Sequence, residues 1–156
     1  MTALDRMGEI YQRGQGVAHR VDDSNGVHGL LVDQVAVSEA LYDVYRPTDR
    51  DVYLDLAQEL MLFAMRRLWN AGAGAFVDRV VAEEDVGLLR HTITPFVLNC
   101  RAAHLLAQLS RDTGRLDFRE CARTALASQT AAARAHSVDA AAYVLALQDV
   151  RFSESP

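Results

Sequence analysis

From Leu30 onward, apolar residues recur at the spacing of helices that each bury one face. Residues 30–46 place Leu31, Val35, Ser38, Leu41 and Tyr45 on one side, widened by Val37, Ala40 and Val44, and Pro47 is expected to close this first helix. A second helix is expected over 49–69, with Val52, Leu56, Leu60 and Phe63 on one face and Leu54, Met61, Met65 and Leu68 on another. It is apolar over more than half its circumference, so contacts on two sides are expected. Arg66 and Arg67 suit the negative end of its dipole. The third helix has the clearest punctuation: Thr94 as N-cap, Pro95 in the first turn, then Phe96, Val97, Cys100, Ala103, Leu106 and Ala107, with Gly114 ending it. A fourth spans 116–136 and carries Phe118, Cys121, Ala122, Ala125 and Leu126. Ser137 caps a fifth over 138–151, whose AAAYVLAL stretch is apolar nearly all round and predicts burial on every side.

Two segments break the pattern. Residues 1–29 concentrate glycine and contain the polar cluster Asp22, Asp23, Ser24 and Asn25, which reads as an arm followed by a turn. Residues 70–93 exceed what a helix connection needs, and long ordered loops carry function disproportionately. Within them, AFVDRVV has the composition of a short strand. The organisation predicted is therefore an N-terminal arm and turn (1–29), a helical domain (30–151) and a short tail (152–156).

Sliding the chain against itself yields one informative offset, 65 residues, which lays 48–57 over 113–122. Thr48, Arg50 and Ala57 are repeated as Thr113, Arg115 and Ala122, and Tyr53 falls on Phe118. Each copy covers the end of one helix, a tight turn and the start of the next. The unit is a helical hairpin with a long return loop, used twice, and the fifth helix opens a third. Solenoid hairpins usually repeat at about 34–47 residues, so the longer unit favours a closed α/α toroid, whose return loops border a central cavity.

Composition narrows the function classes. A chain of 156 residues with 50% hydrophobic and 24% charged residues folds and is expected to have one core. Its net charge of −5 and the lack of a basic stripe argue against nucleic-acid binding. No apolar run approaches the roughly 20 residues that span a bilayer, and the first residues lack the apolar core of a secretory signal, so a soluble cytoplasmic protein is expected. Cys100 and Cys121 are too far apart for a CxxC pair, in keeping with a reducing compartment. All sixteen basic residues are arginine, which excludes lysine chemistry. Neither a cofactor motif nor a metal-ligand motif is present.

The segments Gly29–Val35, Glu39–Asp43, Leu68-Trp69-Asn70 with Phe76-Val77-Asp78, and Gly87–Arg90 through Pro95–Asn99 together resemble the C-terminal α/α toroid of thioredoxin-domain-containing proteins of the spermatogenesis-associated type. That toroid is itself similar to the N-acylglucosamine 2-epimerase and six-hairpin glycosidase toroids. The resemblance covers roughly residues 18–150. It departs where the family reads Gly-Gly-Phe-Phe-Asp after the tryptophan, since here the residues are Gly74-Ala75-Phe76-Val77-Asp78. The family's thioredoxin-like domain and the first half of its toroid have no counterpart in the sequence. The resemblance implies a detached toroid portion, noncatalytic alone, that acts as a subunit or assembly module. Five helices do not close a ring, so a homo-oligomer or a partner chain completing the toroid is expected, with neither nucleic acid nor membrane as partner.

The alternative is an enzyme or binder for a carbohydrate-like ligand, its cavity completed by oligomerisation. His28 and His91 each precede an inner helix and would serve as acid and base, as paired histidines do in sugar epimerases of similar fold. Solvated loop positions are the plainer reading of both. Asp33 and Gln34 either face the ligand or cap the first helix. Asp78, with Glu83, Glu84 and Asp85, makes an acidic loop able to supply a glycosidase carboxylate pair or a divalent-cation site, or to be merely solvated, which is the plainer reading. Arg90 belongs to the same candidate set. Asn99 either binds a ligand or satisfies the backbone of a neighbouring loop. His104 and Cys100 are expected to be packing residues, and His19 and His136 show no evident partner.

Overall fold

The computed structural model describes residues 11–20 and 27–152. Most of the N-terminal arm, the polar cluster at 22–25 and nearly all of the C-terminal tail lie outside the described residues. The elements are β1 (Tyr11–Gln12), β2 (Gly16–Val17), α1 (Leu31–Thr48), α2 (Asp51–Arg67), β3 (Trp69–Asn70), β4 (Ala75–Phe76), a 3₁₀ turn (Gly87–Arg90), α3 (Phe96–Thr113), α4 (Leu116–Ser128), α5 (Thr130–Ala133) and α6 (Ala140–Phe152). The protein is mostly helical, and the named strands among the described residues form two antiparallel pairs, β1 with β2 and β3 with β4. None of the described helices is long and apolar enough to cross a membrane.

The chain divides into two compact units, Met1–Leu68 with Val77–Ile93, and Trp69–Phe76 with Thr94–Pro156. In the first, α1 and α2 form a hairpin whose core includes Leu31, Val35, Leu41, Ala57, Leu60, Met61 and Ala64, all fully buried. Each such leucine contributes about 1.5–3 kcal/mol of burial. In the second, α3 is the central helix: it buries Cys100, Ala102, Ala103, Leu105, Leu106 and Leu109, and it packs against both α4 and α6.

The match at 65 residues has a structural counterpart. Both hairpins turn through a left-handed residue, Asp49 (φ 52°) and Gly114 (φ 70°), whose N–H donates to the carbonyl of Tyr45 and of Ser110 respectively. In each, the threonine hydroxyl before the turn donates back one helical turn, Thr48 to Val44 and Thr113 to Leu109. The arginine after the turn lies over the aromatic ring three residues on, Arg50 over Tyr53 at 4.9 Å and Arg115 over Phe118 at 4.5 Å. Local chemistry at the joint is thus duplicated contact by contact.

The helix boundaries differ from the expected ones for local reasons. Pro47 lies inside the last turn of α1 rather than ending it, and the stop is the left-handed Asp49. Pro95, not Thr94, occupies the cap position of α3, and no side chain caps that helix. The expected fourth helix breaks at Gln129, leaving α4 and the single turn α5. The apolar helix α6 is not buried all round: it packs on α3, burying Ala146 and Val150, while Val144 and Leu145 remain 51% and 55% exposed.

Candidate functional site

Each unit contains the same arrangement of a short β-hairpin clamped by a buried amide from a helix. Val77 N–H donates to the Leu68 carbonyl, which makes Trp69 and Phe76 a non-hydrogen-bonded pair. The N–H and C=O of Phe76 therefore point away from β3. Asn99, fully buried in the first turn of α3, meets both: its Oδ1 accepts from Phe76 N–H at 2.7 Å, and its Nδ2 donates to the Phe76 carbonyl at 2.9 Å. The same Nδ2 donates to the Pro95 carbonyl at 3.0 Å. Of the two readings of Asn99, the structure shows the one in which it satisfies a neighbouring backbone.

Gln34 does the same in the first unit. Its Oε1 accepts from Val17 N–H at 3.0 Å, and its Nε2 donates to the carbonyls of Val17 (3.4 Å) and Leu30 (3.2 Å). Gln34 and Asn99 stand 65 residues apart, each at the fourth position of its helix. Gly16 makes the approach possible: at φ +79°, a Cβ there would lie 2.5 Å from Gln34 Oε1 and 2.9 Å from Phe63 Cε1. Neither Gln34 nor Asp33 caps α1. Asp33 instead receives His19, whose Nδ1 is 3.1 Å from its carboxylate, so His19 has the partner that its sequence context did not suggest.

The return loop is held by the carboxylates that made it look like a site. Asp78 bridges its ends: Oδ1 accepts from Ile93 N–H (2.9 Å), its backbone N–H donates to the Ile93 carbonyl, and its carbonyl accepts from Leu31 N–H. Asp85 Oδ2 accepts from Ala82 N–H and pairs with Arg79 at 3.0 Å. Arg90 Nε donates to the Asp85 carbonyl at 2.7 Å. Glu83, Glu84 and His91 are exposed, and Leu88, at 87%, is the most exposed large apolar residue described.

His28 sits differently. It lines a cavity of about 130 Å³ in the first unit together with Gly14, Gln15, Gly29, Phe63, Arg67 and Val80, and its Nδ1 is buried without a hydrogen-bond partner. His91 is not among the residues lining this cavity. In the second unit, His104 is half-buried: its Nε2 meets Gln108 at 3.1 Å, and its Nδ1 lies 3.2 Å from the carboxylate of Asp149 of α6 without a hydrogen bond, while Asp149 holds Arg111 at 3.1 Å. His136 stacks on Phe96 with ring centroids 4.1 Å apart, a partner the sequence did not reveal.

Burial pushes the thiol of Cys100 up to about 11; burial and the neighbouring charge of Asp117 push that of Cys121 up to about 12. Both are free thiols held in their unreactive form. Among the described residues, no cluster of three or more His, Cys, Asp or Glu could hold a metal ion.

The amide clamps were missed as a pair, although the sequence carries their signal. Tyr11-Gln12-Arg13-Gly14-Gln15-Gly16 and Trp69-Asn70-Ala71-Gly72-Ala73-Gly74 share the order aromatic, amide, x, Gly, x, Gly. Their offset is 58 rather than 65, because the second hairpin (69–76) is one residue longer than the first (11–17) and the segment joining hairpin to helix has 19 residues (77–95) in the second copy against 13 (18–30) in the first. No protein-family model matches this chain, and no curated protein is significantly similar to it.

Proposed function

We propose that this protein is a noncatalytic assembly module, built from repeated helical hairpins, that associates with a second copy of itself through α6. The observation that carries this reading is the uncovered apolar face of that helix. From Ala140 to Leu147 α6 has no charged residue, yet it is covered only where it meets α3 and α4, and Ala141, Val144 and Leu145 are exposed. An apolar helix face left without cover is an adhesive surface. In the two preceding repeats the first helix of the hairpin is covered by the second, α1 by α2 and α3 by α4. A helix from another copy would supply the missing cover for α6. The resemblance to α/α toroids, in which neighbouring hairpins complete a ring, is in keeping with this role, and a toroid completed by association remains part of the proposal.

Association is tested by size-exclusion chromatography with light scattering on the whole chain. A dimer or larger assembly is expected at micromolar concentration, and Val144→Glu with Leu145→Glu should convert it to a monomer of unchanged helical content. A wild-type protein that stays monomeric, or a double variant that still assembles, would overturn the reading.

A further inference from the structure

The return loop of the first unit carries apolar side chains that the fold leaves outside. Val86, Leu88, Leu89 and Ile93 are each more than half exposed, and Val81 is exposed as well. This exposure does not come from a loose chain. Asp78 ties the ends of the loop through Ile93, Asp85 holds Ala82 N–H and Arg79, and Arg90 reaches back to the Asp85 carbonyl. The 3₁₀ turn closes on two further backbone bonds, Leu89 N–H to the Val86 carbonyl and His91 N–H to the Leu88 carbonyl, both 3.1 Å. A surface already fixed in place loses little freedom when it is covered, and that favours docking. Glu83 and Glu84 add exposed carboxylates to the same loop.

We infer that this loop, with its short 3₁₀ helix, is the cover for α6 of another copy, so that association joins the first unit of one molecule to the second unit of the next. The inference rests on the reading of α6 as the assembly surface and names what that surface meets. Ala141, Val144, Leu145, Gln148 and Arg151 recur at helical spacing and are all exposed, so the open face of α6 is apolar along its middle and cationic at its C-terminal end. The loop matches it in kind, with Val86, Leu88 and Leu89 as apolar residues and Glu83 and Glu84 as anions. Its own cation, Arg90, is engaged by the Asp85 carbonyl. The wider charge distribution runs the same way. The first unit contains 15 of the 21 acidic residues but nine of the 16 arginines, so the net charge of −5 arises there, while the second unit has a small excess of arginine. Two first units therefore repel, and a first unit attracts a second. Pairing α6 with its own copy would cover Val144 and Leu145 but leave the apolar loop bare and its carboxylates unmatched. A contact between two different surfaces also lets copies add in series or close into a ring.

The experiment is size-exclusion chromatography with light scattering on the full chain and on two double variants that each disable one surface. Leu88→Glu with Leu89→Glu removes the loop, and Val144→Glu with Leu145→Glu removes the α6 face. All four side chains are more than half exposed, so the fold does not depend on them, and circular dichroism confirms it. Each variant alone should be monomeric at concentrations where the wild type assembles. Mixed, the two should form a one-to-one dimer, because the intact loop of one meets the intact α6 of the other. Arg151→Glu should weaken wild-type association at least about tenfold, and adding Glu83→Arg with Glu84→Arg should restore it. The inference is overturned if the Leu88 and Leu89 variant assembles like the wild type, or if the mixture stays monomeric. Both outcomes leave the role of α6 standing. That role fails separately, and the inference with it, if the wild type is monomeric or the α6 variant still assembles.

Discussion

Replacing Asn99 with alanine removes an amide that serves both outward-facing backbone groups of Phe76 in a site with no access to water. Leaving a buried donor or acceptor unmet costs about 1–3 kcal/mol per group. With two groups orphaned, and part of the loss recovered if a water enters the vacated space, the expected destabilisation is about 2–4 kcal/mol. For a chain of this length that corresponds to a fall in Tm of roughly 5–15 °C. The sharper assay is amide hydrogen exchange, because it localises the effect. Exchange at Phe76 should accelerate strongly in Asn99→Ala, while exchange at Val17, held by Gln34 in the other unit, should not change. Asn99→Asp should be at least as damaging, since it keeps the acceptor, loses the donor to the Phe76 carbonyl and buries a carboxylate. A variant that loses no more stability than an exposed substitution such as Gln58→Ala, or one in which Val17 loosens as much as Phe76, would refute the reasoning.

Gly16→Ala should disrupt the first unit, because the added methyl would overlap the Gln34 amide and the Phe63 ring at a positive φ. Backbone strain alone costs about 1–3 kcal/mol there, and urea denaturation followed by Trp69-independent helical signal should show a lowered midpoint. The thiols should be inert. With the Cys100 thiol at about 11, the thiolate fraction at pH 8 is on the order of one in a thousand, so native protein should resist alkylation that proceeds readily once it is unfolded. The same shifts make stability pH-dependent at the alkaline end. Both thiols are raised in the folded state, so their contribution is intact below the ordinary thiol range near 9 and is lost as pH rises through about 11 and 12. Thermal melts from pH 8 to 11 should show falling Tm, and the fall should be smaller in Cys100→Ala with Cys121→Ala.

The helical pattern and the hairpin joints were legible because both are local. Apolar spacing, Gly114 and the Thr-x-Arg repeat act within one or two turns of chain, and the structure places helices and turns close to where these features put them. Gln34 and Asn99 were visible only as polar residues near helix starts. Their partners, Val17 and Phe76, lie 17 and 23 residues away. Asp78 and Asp85 were likewise seen without their partners, and so appeared available for chemistry when the fold employs them as ties.

What the sequence determined by itself is the helical class, the duplicated joint and the unreactive setting expected for cysteines placed among apolar neighbours. The tertiary structure alone decided which polar groups are consumed and which are left over. Periodicity specifies which face of a helix turns inward but carries no information about the group that will stand opposite. A buried amide becomes a clamp only when an unpaired backbone N–H and C=O arrive beside it. The orphaned Nδ1 of His28 and the bare face of α6 were decided by the same physics, since a donor or an apolar surface is unmatched only after every other segment has taken its place.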